Sequence, residues 1–179
     1  MGPAPFLLTH SVARDHSAGV SDPTAIPTQE SGHPAAPLAA DPQVVYAKFE
    51  TELRVRPDDI DMYQHVHSSR YMDYVLAARF DQMEHGYKMP MAEFTKLGYA
   101  WFMATAHMNF KNPLELGDRF IVRTWIEKFT LISVKVQFQI IRIADQKLSG
   151  DGWFDYVMVS VATGRAVRIP ESIRGKYSI

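Results

Sequence analysis

The sequence predicts an α+β domain in which one long helix faces a single curled antiparallel sheet. Two observations predict it. Apolar residues recur at helical spacing between residues 68 and 86, and from Tyr99 onward the period changes from 3.6 to 2. A third agrees with them: the helical segment is apolar around much of its circumference, as a helix wrapped by a sheet must be.

Residues 1–43 carry no helical or strand period and are rich in Ala, Pro and Ser. They are read as a disordered tail, with residues 44–179 as the folded domain. The apolar run Phe6-Leu7-Leu8 is too short for a signal-peptide core, and Arg14 is the single Lys or Arg in this segment.

Each element follows from its residues. Over residues 45–56, Phe49, Leu53 and Val55 alternate with Glu50, Glu52, Arg54 and Arg56, the pattern of a half-buried strand. Pro57 ends it, because proline cannot donate to the ladder. The helix begins at Ser68 or Ser69, either of which can cap it, and Asp73 lies early enough to favour the dipole. Met72, Val75, Leu76, Arg79, Phe80 and Met83 form its apolar face, Tyr71 and Tyr74 are read as core, and Gly86 stops it. A short second helix is expected over residues 90–97, ended by Gly98.

The strands come next. Along the first, Trp101, Met103, Thr105, His107 and Asn109 share one face, and Phe102, Ala104, Ala106, Met108 and Phe110 the other. Residues 112–118 read as a turn, and 120–127 and 131–143 as strands. Ser149-Gly150-Asp151-Gly152 reads as a hairpin turn. Residues 153–162 form a strand apolar on both faces, as expected for a central position, and 165–169 a last strand ended by Pro170. A terminal helical turn is expected over residues 171–177.

Composition narrows the function. The chain has 179 residues, 46% hydrophobic, with net charge −1 and pI about 6.6. That suits one packed domain and points to neither nucleic acid nor an anionic membrane. Without cysteine there is no disulfide, thiolate zinc site or Cys nucleophile, which suits a cytoplasmic protein. No apolar run approaches the roughly 20 residues needed to span a bilayer.

The chemistry concentrates in residues 59–67, which hold Asp59, Asp61, His65 and His67 directly before the helix. Read blandly, this is a solvated loop. Read functionally, it is an acid placed at a helix N-terminus. The stretch Asp59-Ile60-Asp61-Met62-Tyr63-Gln64-His65-Val66 resembles the Asp-x-Asp-x-x-Gly-His-Val-Asn-Asn signature of acyl-CoA thioesterases. It is similar also to the Asp-x-Asp-x-Asn-Gln-His-Val-Asn-Asn version in plant acyl-ACP thioesterases. Residues 113–118 fit the Pro-x-x-x-Gly-Asp turn of the same group, and Arg168-Ile169-Pro170-Glu171-Ser172-Ile173 resembles its C-terminal ending. The chain from about residue 45 to 177 thus resembles the 4-hydroxybenzoyl-CoA thioesterase-like group, with the hot-dog fold of five or six strands. Tyr63 stands at an Asn position of the plant version, and His67 and Ser68 stand where both versions carry paired Asn.

The resemblance implies an acyl-thioester hydrolase acting on acyl-CoA or acyl-ACP. Asp61 falls on the position of the nucleophile or general base, and His65 on that of the His-Val histidine. The resemblance also implies a homodimer, or a dimer of dimers, with the acyl site between protomers. The sequence allows this, because residues 131–143 and 153–162 are long, β-rich strands that an isolated edge would leave exposed. Physical chemistry assigns the same roles: hydrolysis needs a carboxylate or activated water plus donors for the oxyanion. The N–H groups near Ser68 and Ser69 can supply those donors. Asp59 is read as an exposed neighbour that tunes the field. No metal or organic cofactor is implied, because water is the co-substrate. The alternatives are a catalytically silent acyl-thioester binding protein and, below it, a hydratase or dehydratase. The latter group's Asp-x-Asn-Pro-x-His places histidine five residues after aspartate, against four here. A metal site on the two histidines ranks lower still, and no Gly-x-Ser-x-Gly supports a serine hydrolase.

Overall fold

The structure is a computed structural model that describes residues 46–178, so the reading of residues 1–43 lies outside the described residues. Five strands form one antiparallel sheet: β1 (Lys48–Arg54), β2 (Tyr99–Phe110), β3 (Arg119–Phe129), β4 (Ser133–Arg142) and β5 (Leu148–Ser160). Their order across the sheet is β1-β3-β4-β5-β2. Helix α1 (Ser68–His85) lies against it, followed by α2 (Met91–Lys96), and α3 (Glu171–Tyr177) closes the chain.

The alternation read from sequence sets the inner face. In β3 and β4, Phe120, Val122, Ile126, Val136, Phe138 and Ile140 are buried, and β5 adds Phe154 and Met158. Helix α1 meets them with Tyr71, Tyr74, Val75, Ala78 and Met83. The buried stripe departs from the expected apolar face at Phe80, which is exposed, while Tyr71 and Tyr74 are core as expected. Gly86 caps the helix as expected.

Four expectations about the strands are corrected. First, β2 carries an irregularity between Met103 and Thr105. A bulge adds one residue and flips the alternation beyond it. Trp101 and Met103 therefore line the same space as α1, whereas Met108 packs on the core beyond the bulge. His107 turns outward and stacks on Trp153, with ring centroids 5.7 Å apart.

Second, Ser149, Gly150, Asp151 and Gly152 form no turn but lie within β5. The chain reverses at Ile143–Asp145, where Gln146 takes φ 57° and the Arg142 N–H donates to the Lys147 carbonyl at 2.9 Å. Gly152 is a matter of space: a Cβ there would stand 1.9 Å from the His107 carbonyl oxygen and 2.7 Å from the Phe138 ring.

Third, residues 165–169 form no strand, only the bridge between Val159 and Ala166. β5 already has β2 on one side and β4 on the other, and β4 reaches Val157. Only the last residues of β5 remain open to this segment. Fourth, β4 and β5 are both central, as the two apolar faces of residues 153–162 predict, so the edges left exposed in an isolated protomer are β1 and β2 and not these long strands.

Candidate active site

The segment between β1 and α1 folds on its own carboxylates. Asp59 ends a 3₁₀ turn opened by Pro57 and is 1% exposed. Its carboxylate accepts from Arg56 Nε at 2.9 Å and from the Tyr74 hydroxyl at 2.7 Å, and Arg70 Nε lies 3.4 Å away. The hydrogen bond from Arg56 holds its pKa below the ordinary value, against the opposing effect of burial. The exposed, field-tuning role expected for Asp59 is therefore wrong. Tyr74, a core residue of α1, can satisfy a buried acid that sequence spacing places in a loop.

Asp61 sits differently. Its Oδ1 accepts the N–H of Tyr63 at 2.8 Å and that of His65 at 3.3 Å. The Asp61 N–H donates to the His65 carbonyl at 2.8 Å, closing the loop. The loop requires Gln64 at φ 66°, the position where the acyl-CoA thioesterase signature carries glycine. Val66 is buried, and its N–H donates to the Leu114 carbonyl at 2.8 Å. That bond and the bridge from His65 to Glu115 tie the loop to the segment after β2.

The helix start differs from the expected cap. His67 is the N-cap, and its Nδ1 accepts from the Ser69 N–H at 3.3 Å and lies 2.9 Å from the Ser69 hydroxyl. A histidine at an expected Asn position thus keeps the capping function. Ser69 is used up by this cap and does not line the groove beside it. The Arg70 N–H donates to the His67 carbonyl. The Ser68 N–H has no partner among the described residues, so it is the first-turn donor left for a ligand.

These residues line one groove: Asp61, His65, His67, Ser68 and Tyr71 on one side, and Phe110, Lys111, Asn112 and Pro113 on the other. Of the four predicted site residues, Asp61, His65 and Ser68 are brought together and Ser69 is not. The sequence reading missed the second wall. Lys111 carries no local signal, Asn112 and Pro113 read as part of the turn over residues 112–118, and nothing local signals that β2 ends opposite the start of α1. Tyr71 has more than a core role: its hydroxyl accepts the Leu114 N–H at 3.0 Å and holds that wall in place. Among the described residues, no group of three or more His, Asp and Glu is placed to hold a metal ion, and no helix is long and apolar enough to cross a membrane.

Chemically, the groove joins a carboxylate, an imidazole and the positive end of an 18-residue helix. That set can activate water, or attack directly, and stabilise an oxyanion.

Comparison with known proteins bears on the family and the fold. The long-chain acyl-CoA thioesterase FadM of Escherichia coli (strain K12) is 22% identical over 128 residues, 72% of this chain and 96% of that protein. The chloroplastic acyl-acyl carrier protein thioesterase ATL3 of Arabidopsis thaliana is 29% identical over 133 residues, which cover 72% of this chain and 66% of that protein. Among solved structures, the DHNA-CoA thioesterase of Staphylococcus aureus superposes with a TM-score of 0.68 at 19% identity, over 73% of this chain and 89% of that one. At that identity the likeness shows the hot-dog fold. The model of one family, the thioesterase-like superfamily, matches residues 55–177, so the greater part of the described domain carries its pattern and the chain belongs to that superfamily.

Proposed function

We propose that this protein hydrolyses the thioester of an acyl-CoA or acyl-ACP, with Asp61 as nucleophile or general base. The observation that carries the reading is the placement of Asp61 in one groove with His65 and the start of α1. The thioester carbonyl lies against the helix start, where the Ser68 N–H and the helix dipole stabilise the developing oxyanion. As general base, Asp61 takes a proton from water while the oxygen adds to the carbonyl carbon. Collapse then breaks the C–S bond, and the thiolate leaves and is protonated. His65 orients the water or the carbonyl. Sulfur conjugates poorly with the carbonyl, so a single carboxylate and a helix end are enough machinery.

The same reading includes assembly. β2 is an edge of twelve residues, with Phe102 and Phe110 exposed, and Phe110 belongs to the groove wall. A second copy pairing along this edge completes the wall and buries the unpaired backbone. The protein is thus proposed to work as a homodimer or a dimer of dimers.

The test is steady-state hydrolysis by purified protein of an acyl-CoA panel from short to long aliphatic chains, with a benzoyl thioester and an acyl-ACP. Turnover of any member supports the reading. Saturable binding without turnover across the panel replaces it with the silent binding protein, which the substituted Asn positions His67 and Ser68 favour.

A further inference from the structure

Beyond the groove, α1 borders a second space. A cavity of about 320 Å³ lies between the C-terminal half of α1 and the sheet, walled chiefly by Met83, Met103, Ile126 and Val134. Into this apolar wall the protein sets Arg79, which is only 7% exposed. None of the ion pairs among the described residues includes Arg79. Its Nη1 donates to the Thr124 hydroxyl at 3.3 Å, and its guanidinium carbon lies 5.7 Å from the Tyr87 ring centroid.

Those neighbours are neutral. The Thr124 hydroxyl itself donates to Gln82 Oε1, and the Gln82 amide is spent on the Val122 carbonyl at 3.1 Å. The phenol of Tyr156, also on the cavity wall, is pushed up to about 12 by burial and stays protonated. Tyr177 lines the same cavity, and its buried hydroxyl has no hydrogen-bond partner. A guanidinium carries five donors and prefers a planar, bidentate anion. Burying one without an acid is costly, and proteins keep such a charge where a ligand neutralises it.

We infer that this cavity binds a carboxylate carried on an apolar chain, with its oxygens on Arg79 and the Tyr177 hydroxyl. Within the proposed hydrolase, the carboxylate is the far end of an ω-carboxyacyl thioester. Ser68, Met72, Leu76 and Phe80 are spaced four apart along α1, which gives one continuous ridge from the groove to the cavity. At the helical rise, Ser68 and Arg79 are separated by about 16 Å along the axis, the reach of a medium-length chain. A free carboxylic acid offers the same chemistry from a second source.

The experiment compares octanoyl-, decanoyl- and dodecanoyl-CoA with their ω-carboxylated counterparts, using the full chain and its Arg79→Met and Arg79→Lys variants. Calorimetric titration with free decanoate and with decanol runs beside it. Within the proposed hydrolase, wild type should prefer the ω-carboxylated substrate at one length or more. Arg79→Met should lower its kcat/KM about tenfold or more while sparing the methyl-ended substrate, and Arg79→Lys should retain part of the preference. An effect of Arg79→Met confined to decanoate binding assigns the site to a free acid. Decanoate binding that depends on Arg79, without hydrolysis of any thioester, keeps this inference and removes the hydrolase. Equal loss on both substrate types with unchanged decanoate binding shows a purely structural Arg79 and overturns it. If Arg79→Met does not fold, wild type decides alone: preference for methyl-ended chains at every length, with decanol bound as tightly as decanoate, overturns it too.

Discussion

The Tyr74 hydroxyl donates to the Asp59 carboxylate at 2.7 Å, which joins the loop before α1 to the core side of that helix. Together with Arg56 and Arg70, it makes Asp59 a structural anchor. Asp59→Asn should lower stability by about 1–3 kcal/mol, because charged hydrogen bonds are replaced while Tyr74 keeps a neutral acceptor. Thermal melts at neutral pH measure it, and an unchanged midpoint would remove the anchor role.

The same carboxylate sets an acid limit. Its pKa is lowered on folding from the ordinary 3.8, so its contribution is complete above that value and is lost as pH falls through the folded value. Wild-type stability should therefore fall below about pH 4, and Asp59→Asn should show a flatter acid limb. Denaturant melts across the acid range compare the two slopes.

Asp61 carries the proposed chemistry. Asp61→Asn keeps the shape and removes the charge, and turnover should fall about 10²- to 10⁴-fold with KM moving much less. His65→Ala should fall between that variant and wild type. Activity comparable to wild type in Asp61→Asn, with an intact circular dichroism spectrum, would falsify the assignment.

Gly152 tests the packing of β5. The added methyl in Gly152→Ala meets the His107 carbonyl and the Phe138 ring, so β2 and β4 must both give way. A loss of about 1–3 kcal/mol is expected in chemical denaturation. A variant as stable as wild type would show that the sheet relaxes at no cost.

Assembly is tested on the β2 edge. Light scattering should report a dimer or tetramer mass for wild type. Ala106→Lys sets a charge on an exposed residue in the middle of that edge and should shift the mass toward monomer with loss of turnover. Full activity at monomer mass would sink the shared site.

Local pattern determined much of this protein. The 3.6-residue period placed α1, the change to period 2 placed the strands, and Pro57, Gly86 and Gly98 punctuated them, because each depends on neighbours in the chain. The acid-histidine loop was legible for the same reason, since Asp61, His65 and the start of α1 are adjacent in sequence. Tertiary structure alone decided which of two similar aspartates is buried: Asp59 meets Tyr74, fifteen positions away. It also decided that the glycine at 152 makes room for a neighbouring strand rather than a turn, and that a bulge turns His107 outward. Arg79 looked like one more helical residue. Its neighbour Thr124 lies 45 positions on, and burial without an acid is a property of the assembled wall, which no local period encodes.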